Sequence, residues 1–151
     1  MPVDLNQKLS EHFSLNEFIT SQTASRKGID NTPSPEVVER LRQLCTEVLE
    51  PARAALGPLR ISSGFRCEKL NTSIGGSKTS AHCKGYAADV IPLQASRREF
   101  ARWVKENCKF DQIILEYGTP QNPDWIHVSI EPRFRKEVLR TASGGYVAAT
   151  V

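Results

Sequence analysis

Apolar residues recur at helical spacing in two long stretches of the chain. Between residues 35 and 49, valines, leucines and one cysteine return every three or four positions, behind a serine that suits an N-cap and a proline that suits the first turn. Residues 96–107 repeat the pattern behind a second capping serine. The sequence therefore predicts two amphipathic helices, and Pro51 is expected to kink or restart the first of them.

Shorter apolar runs bounded by turn residues predict β-strands. We place strands at residues 59–66, 89–91, 110–117, 124–130 and 146–148. The third and fourth runs are joined by a short segment rich in glycine and proline, so these two strands are expected to pair antiparallel. That hairpin would bring Glu116 and Tyr117 close to Asp124 and His127.

The remaining segments carry weaker signals. Ser14, with a glutamate three residues later, forms a capping-box pattern that predicts a short helix. One helical turn is expected at residues 68–71, and the Ser-, Thr- and Gly-rich residues 72–79 indicate a flexible loop. Residues 21–35 are expected to form a surface loop, and residues 133–140 a turn or a short helix.

Length and charge narrow the class of protein. A chain of 151 residues is long enough for a sizeable core, so we expect a single domain over residues 1–151 with its core between about 13 and 140. The net charge of +3 is small and spread along the chain, which does not favour nucleic-acid binding. A mildly basic surface would suit an anionic polymer such as cell wall.

The sequence shows neither an apolar run long enough to span a membrane nor a signal peptide. We therefore expect synthesis in the cytoplasm, and an extracytoplasmic substrate would require another route of export. The four cysteines include no C-x-x-C pair and are expected to be reduced thiols. They are Cys45, Cys67, Cys83 and Cys108. The protein is expected to be a monomer.

Two of the three histidines lie in the stretches 80–89 and 124–127, each of which also contains an aspartate. His82, Asp89 and His127 supply two imidazoles and one carboxylate, a common set for a catalytic zinc because three protein ligands leave one position open. Asp124, three residues before His127, is a spare acid that could carry protons. Strict strand alternation would put Asp124 and His127 on opposite faces. Asp124 is therefore expected to precede the regular strand, with Pro123 fixing a bend.

The alternative for such residues is an ordinary structural role. Scattered His and Asp are mostly surface residues or caps, so the pair His82 and Asp89 alone is weak evidence for a metal. Gly85 and the small alanines after it favour the metal reading, because they allow close backbone packing between the two candidates. Asp89 and His127 also stand at apolar runs, where a polar group needs a partner. Arg66, at the end of a predicted strand, is either a surface arginine or a clamp for a carboxylate or other anion.

Taken in order, these motifs resemble those of the zinc D-Ala-D-Ala carboxypeptidase family, the M15 peptidases. The resemblance rests on Ile61-Ser62-Ser63-Gly64-Phe65-Arg66, Gly75-Gly76-Ser77, Ser80-x-His82-x-x-Gly85-x-Ala87-x-Asp89 and Trp125-x-His127. It covers about residues 13–140, and it is greatest for the short single-domain type common in phages and prophages.

The resemblance implies an α+β fold in which helices pack on a small antiparallel sheet that carries the zinc site, as in the Hedgehog/DD-peptidase fold. It implies that His82, Asp89 and His127 are the ligands of one zinc ion per chain. It also implies that the protein is a hydrolase of the metallopeptidase type.

The resemblance further implies roles for side chains around the metal. Asp124 matches the catalytic acid, Arg66 matches the arginine that stabilises the polarised carbonyl, and Ser80 matches a serine that contacts substrate. Glu116 is a rival for the role of base. Together with Tyr117, it is also a candidate substrate-binding residue.

The implied substrate is a peptidoglycan stem peptide. Cleavage would be of the L-Ala-D-Glu endopeptidase type or the D-Ala-D-Ala carboxypeptidase type, by a phage or prophage lytic enzyme (an endolysin or virion component) that acts at the periplasm or cell wall. The alternative is a non-catalytic module of the same fold that holds zinc and binds peptide or cell wall without turnover. Neither nucleic acid nor a membrane is expected as a partner.

Overall fold

The computed structural model describes residues 3–151, which form helices packed on a six-stranded sheet. The α-helices are α1 (Leu15–Ile19), α2 (Gln22–Lys27), α3 (Pro35–Leu44), α4 (Glu50–Leu56), α5 (Glu68–Ser73) and α6 (Arg97–Asn107). The π-helical segment Cys45–Leu49 joins α3 to α4, and the 3-10 helix Ala81–Lys84 precedes the second strand. The strands are β1 (Leu59–Ser63), β2 (Ala87–Pro92), β3 (Gln112–Glu116), β4 (Trp125–Ser129), β5 (Glu137–Ala142) and β6 (Gly145–Ala148).

The strands lie in the order β1-β2-β4-β3-β5-β6. Neighbouring strands pair antiparallel with one exception, the parallel pair β3 and β5. The predicted α+β class is therefore confirmed, and so is the predicted antiparallel hairpin of β3 and β4.

Strand alternation gives the sheet an apolar face and a more polar face. Val90 of β2, Ile113 of β3 and Val128 of β4 are fully buried in one core cluster with the apolar residues of the helices. The residues that alternate with them include Asp89 of β2 and His127 of β4. The helices therefore cover one face of the sheet, and the polar side chains project from the other.

The helix that begins at Pro35 continues past Pro51 because the hydrogen-bonding pattern changes just before that proline. Pro51 has no N–H group, and the preceding π-helical turn lets the N–H of Glu50 bond to the carbonyl of Cys45. Leu41 and Val48, on the buried stripe of this helix, are fully buried. The helix thus restarts at Pro51, as predicted, by way of the π-helical turn.

Two segment predictions were wrong, and the strand predicted at 59–66 was too long, since β1 ends at Ser63. Residues 21–35 contain α2, because the Ser21 side chain accepts a hydrogen bond from the N–H of Ala24 and Gly28 ends the helix at a φ of +64°. A helix of six residues is too short to show periodicity in the sequence. The other error is residues 133–140, which include most of the strand β5 instead of a turn or short helix.

The core reaches slightly beyond the predicted limits, since Leu9 is also buried in it. All four cysteines are free thiols, and burial raises the pKa of Cys45 to about 12. Within residues 3–151, no helix is both long and apolar enough to cross a membrane.

Candidate metal centre

Three side chains, from the 3-10 helix, β2 and β4, converge on the polar face of the sheet. The Nε2 atom of His82 lies 3.3 Å from Oδ1 of Asp89. The Nδ1 atom of His127 lies 3.2 Å from the same Asp89 oxygen and 3.2 Å from Nε2 of His82. All three residues are buried, with exposures of 3%, 7% and 7%. The three candidate ligands of the sequence analysis therefore form a compact triangle of donor atoms.

Strand register brings two of these residues together. Asp89 of β2 and His127 of β4 are direct partners in the antiparallel pair, so their side chains project from the same face of the sheet. The apolar neighbours of both residues pack into the core on the other face, which locks this orientation.

The third residue comes from the 3-10 helix. His82 lies in its second position, and Gly85 ends the helix with a φ of +81°. A Cβ atom at Gly85 would stand 2.9 Å from the Cγ1 atom of Val37 in α3, so only glycine fits this turn. The close approach of helix and turn presents His82 to the strands.

A backbone hydrogen bond sets the tautomer of His82. Its Nδ1 atom lies 2.6 Å from the carbonyl oxygen of Gly64, which can only accept, so Nδ1 carries the proton and donates. The Nε2 atom then carries a lone pair, which points into the triangle. This arrangement, with the far nitrogen held by a carbonyl, is typical of histidines that bind metals.

The triangle fits a tetrahedral zinc ion. In a site with bonds of about 2.0–2.1 Å, neighbouring ligand atoms stand about 3.3 Å apart. The three edges measure 3.2, 3.2 and 3.3 Å. Without a cation, a carboxylate oxygen and the lone pair of His82 would face each other at this distance inside a buried site. Burial favours a raised pKa for Asp89, but the positive charge of the two imidazoles in their protonated form outweighs it and holds the pKa well below its usual range.

The centre opens into a cleft of about 600 Å³. Arg66 and Ser80 line one side, where Nη2 of Arg66 lies 3.3 Å from Oγ of Ser80. The Nε atom of Arg66 is buried and has no hydrogen-bond partner among the described residues. The guanidinium therefore keeps donor capacity for an incoming carbonyl or carboxylate.

Glu116 also lines the cleft. Its side chain is 7% exposed, and the hydroxyl of Thr141 lies 3.2 Å from its Oε2 atom. Burial raises its pKa; the nearby charge of Asp89 adds to this effect, and His127 opposes it. The next residue, Tyr117, also lines the cleft, and its ring lies 5.2 Å from the ring of Trp125.

Asp124 directly precedes β4, as the bend predicted at Pro123 requires. Its N–H donates to the carbonyl of Glu116 at 2.9 Å, and its own carbonyl accepts from Nε of Arg97 at 2.9 Å. Its side chain is exposed and is not among the residues that line the cleft wall. The structure thus places Glu116 in the lining of the cleft and Asp124 outside that lining, and the role of each in catalysis stays a prediction.

Sequence reasoning missed several residues of this cleft. Tyr146 of β6 and Trp125 of β4 line it, and the buried Nε1 of Trp125 has no hydrogen-bond partner within residues 3–151. A charged group that includes Asp111 and Arg135 lines it as well. Alternation from His127 could have placed Trp125 on the site face, but no sequence signal places Tyr146 or Arg135 there.

Within the described part of the chain, this is the one group of three or more His, Cys, Asp and Glu side chains whose ligand atoms all lie within 4.8 Å of one another. A two-histidine, one-carboxylate centre at the floor of an open cleft is the architecture of a metallohydrolase. The family model described as Peptidase M15 matches residues 11–129. The chain belongs to the M15 peptidase family, whose members are zinc-dependent in general. A search of curated proteins found no match.

Proposed function

We propose that this protein is a zinc-dependent peptidase that hydrolyses the stem peptides of peptidoglycan. The observation that carries the proposal is the triangle of His82, Asp89 and His127, whose edges fit a zinc ion at the floor of an open cleft. Zinc bound there would lower the pKa of water toward neutrality and would act as a Lewis acid on the substrate carbonyl. A site assembled only for structural zinc would close the fourth position with a protein ligand.

Arg66 would act on the substrate carbonyl. It lines the cleft with a buried, unsatisfied Nε in the described structure, and Ser80 helps to hold its guanidinium. A donor that meets charge as it develops in the transition state is worth about 3 kcal/mol. Ser80 itself is the adjacent hydroxyl for a substrate backbone group.

Asp124 would carry the proton. A general acid–base must take a proton from water and return it to the leaving amine, and Asp124 is an exposed carboxylate at the start of the strand that bears His127. Glu116 and Tyr117 would instead contact substrate, since both line the cleft.

The proposed cellular role is lysis of cell wall by a phage or prophage enzyme. L-Ala-D-Glu endopeptidase cleavage fits this role better than removal of a terminal D-Ala, because a cut inside the stem peptide severs the wall and loss of a terminal residue does not. The net charge of +3 suits an anionic cell-wall polymer.

The test is digestion of purified peptidoglycan with the zinc-loaded protein, followed by mass analysis of the released fragments. We expect fragments from one specific peptide bond, and we expect none with a chelator or with His82→Ala. Binding to peptidoglycan without any released fragment would instead support a non-catalytic module and would overturn the proposal.

The base is assigned by a second pair of variants. Asp124→Asn should keep zinc binding and lose about a hundredfold or more in turnover, while Glu116→Gln should mainly raise KM. The opposite pattern would make Glu116 the base.

A further inference from the structure

The β5–β6 hairpin lies beyond the family-matched segment but forms part of the cleft. The match ends at residue 129, and β5 begins at Glu137. Tyr146 of β6 nevertheless lines the same cleft as the three candidate metal ligands. Its side chain is 54% exposed, so a large aromatic ring is available to whatever enters the cleft.

Sheet register explains how Tyr146 reaches the site face. Tyr146 pairs with Thr141 across the antiparallel hairpin, so both side chains project from the same face. Glu116 in turn pairs with Trp125 across β3 and β4. The contact between Thr141 and Glu116 joins the two pairs into one row across four strands.

Hydrogen bonds attach the hairpin to the cleft wall. The hydroxyl of Thr141 lies 3.2 Å from Oε2 of Glu116 and 3.0 Å from the backbone nitrogen of Tyr117, from which it accepts. Tyr117 has a φ of +55°, an uncommon conformation for a residue with a side chain, and this hydrogen bond helps to hold it. Burial, and then the nearby Glu116 carboxylate, raise the pKa of Tyr146, so its hydroxyl remains a donor.

The spacing of the strands indicates what Tyr146 can touch. Three strand intervals separate β4, which carries His127, from β6. At about 4.8 Å per interval this is about 14 Å between backbones, or roughly four residues of an extended peptide. The backbone of β6 therefore lies well to the side of the strand that bears His127, and Tyr146 meets a bound peptide through the side chain that it extends into the shared cleft.

We infer that Tyr146 is a substrate-binding residue, and that the β5–β6 hairpin forms the wall against which the part of the peptide remote from the scissile bond packs. The class of substrate, a peptidoglycan stem peptide, rests on the proposed function. The ring supplies a stacking surface, and the hydroxyl supplies a hydrogen bond to a carbonyl or carboxylate of the peptide.

The test compares the zinc-loaded wild-type protein with Tyr146→Ala, Tyr146→Phe and the control Val147→Ala, on purified soluble muropeptides. Val147 is a matched control because it is the next residue of β6, is also exposed, and faces the other side of the sheet. We expect Tyr146→Ala to raise KM roughly three- to tenfold with kcat within about twofold, and Val147→Ala to match the wild type. Tyr146→Phe should lie between them.

The outcomes separate the two claims. If the wild-type protein cleaves muropeptides and Tyr146→Ala has the KM of Val147→Ala, the inference fails and the proposed function stands. A fall in kcat with KM unchanged would also overturn it. If the wild-type protein leaves muropeptides intact, the proposed function fails, and the same proteins are compared on a peptide mixture from a digested proteome. On that mixture, cleavage that Tyr146→Ala loses and Val147→Ala keeps would support the inference. Equal cleavage by the two variants, or no cleavage by the wild-type protein, would overturn it.

Discussion

Zinc should raise the thermal stability of this protein, and the buried triangle of donor atoms gives the reason. His82, Asp89 and His127 hold their ligand atoms within 3.3 Å of each other in the folded chain. The unfolded chain scatters them over residues 82–127. A cation that binds the folded state alone stabilises it by mass action.

The size of the effect follows from the linkage relation. Free zinc at 1,000 times its dissociation constant contributes about 4 kcal/mol to the free energy of unfolding. For a chain of 151 residues, each kcal/mol shifts Tm by about 2–4 °C. The melting temperature should therefore rise by roughly 8–16 °C on saturation and fall again when a chelator removes the metal.

The assay is a thermal melt of the chelated protein, with and without added zinc, for the wild type and two histidine variants. His82→Ala should lose the zinc-dependent shift. His12→Ala is the matched control, because His12 is the third histidine and pairs with Glu50 outside the centre, at 2.7 Å. A wild-type melt that zinc does not change, or a shift that His12→Ala removes as completely as His82→Ala, would refute the assignment of the metal centre.

Two further substitutions test the supports of the site. Asp111→Asn removes the carboxylate that holds Arg135 at 2.8 and 2.9 Å and should cost about 1.5–3 kcal/mol in urea denaturation at pH 7. Burial acts to raise the pKa of the Asp111 carboxyl, but Arg135 outweighs burial and lowers that pKa. The stability that the pair contributes is therefore present above the unfolded pKa of about 3.9 and is lost as pH falls through the lower folded pKa. Equal acid sensitivity of variant and wild type would contradict this. Gly64→Ala would bring a Cβ to 2.6 Å from the carbonyl oxygen of Phe18 and displace the carbonyl that orients His82. Thermal melts should show a loss of about 1–3 kcal/mol and a smaller zinc shift, and a wild-type shift would count against the orienting role of Gly64.

The candidate ligands could be named from the sequence because each carries a local signal. His82 and Asp89 flank a glycine and small alanines, and His127 interrupts an apolar strand. The convergence of these residues depends on the register of β2 against β4, which pairs Asp89 directly with His127. Register is set by burial of the apolar face, and here the apolar runs in both segments were enough to predict strands, though not their pairing.

The two segments that sequence reasoning misjudged lack periodicity for different reasons. The helix α2 has six residues, and only its capping Ser21 and terminal Gly28 mark it. Polar and apolar residues do not alternate along the strand β5, and every position of this strand is half-buried. Its strand conformation comes from pairing with β3 and β6, a tertiary effect that the local sequence does not encode.

Glu116 and Asp124, the two carboxylates that could serve as the base, differ in how they are placed relative to the strands. Glu116 follows Ile114 by one strand period, and Ile114 pairs with His127, so alternation alone puts Glu116 on the site face. Its carboxylate is buried and held by Thr141, which suits a fixed contact with substrate. Asp124 precedes the regular strand, is exposed and does not line the cleft, so its carboxylate would have to turn toward the metal centre to serve as the proposed base. A general base must come within hydrogen-bond reach of the attacking water, and the comparison of Asp124→Asn with Glu116→Gln tests which of the two carboxylates does so.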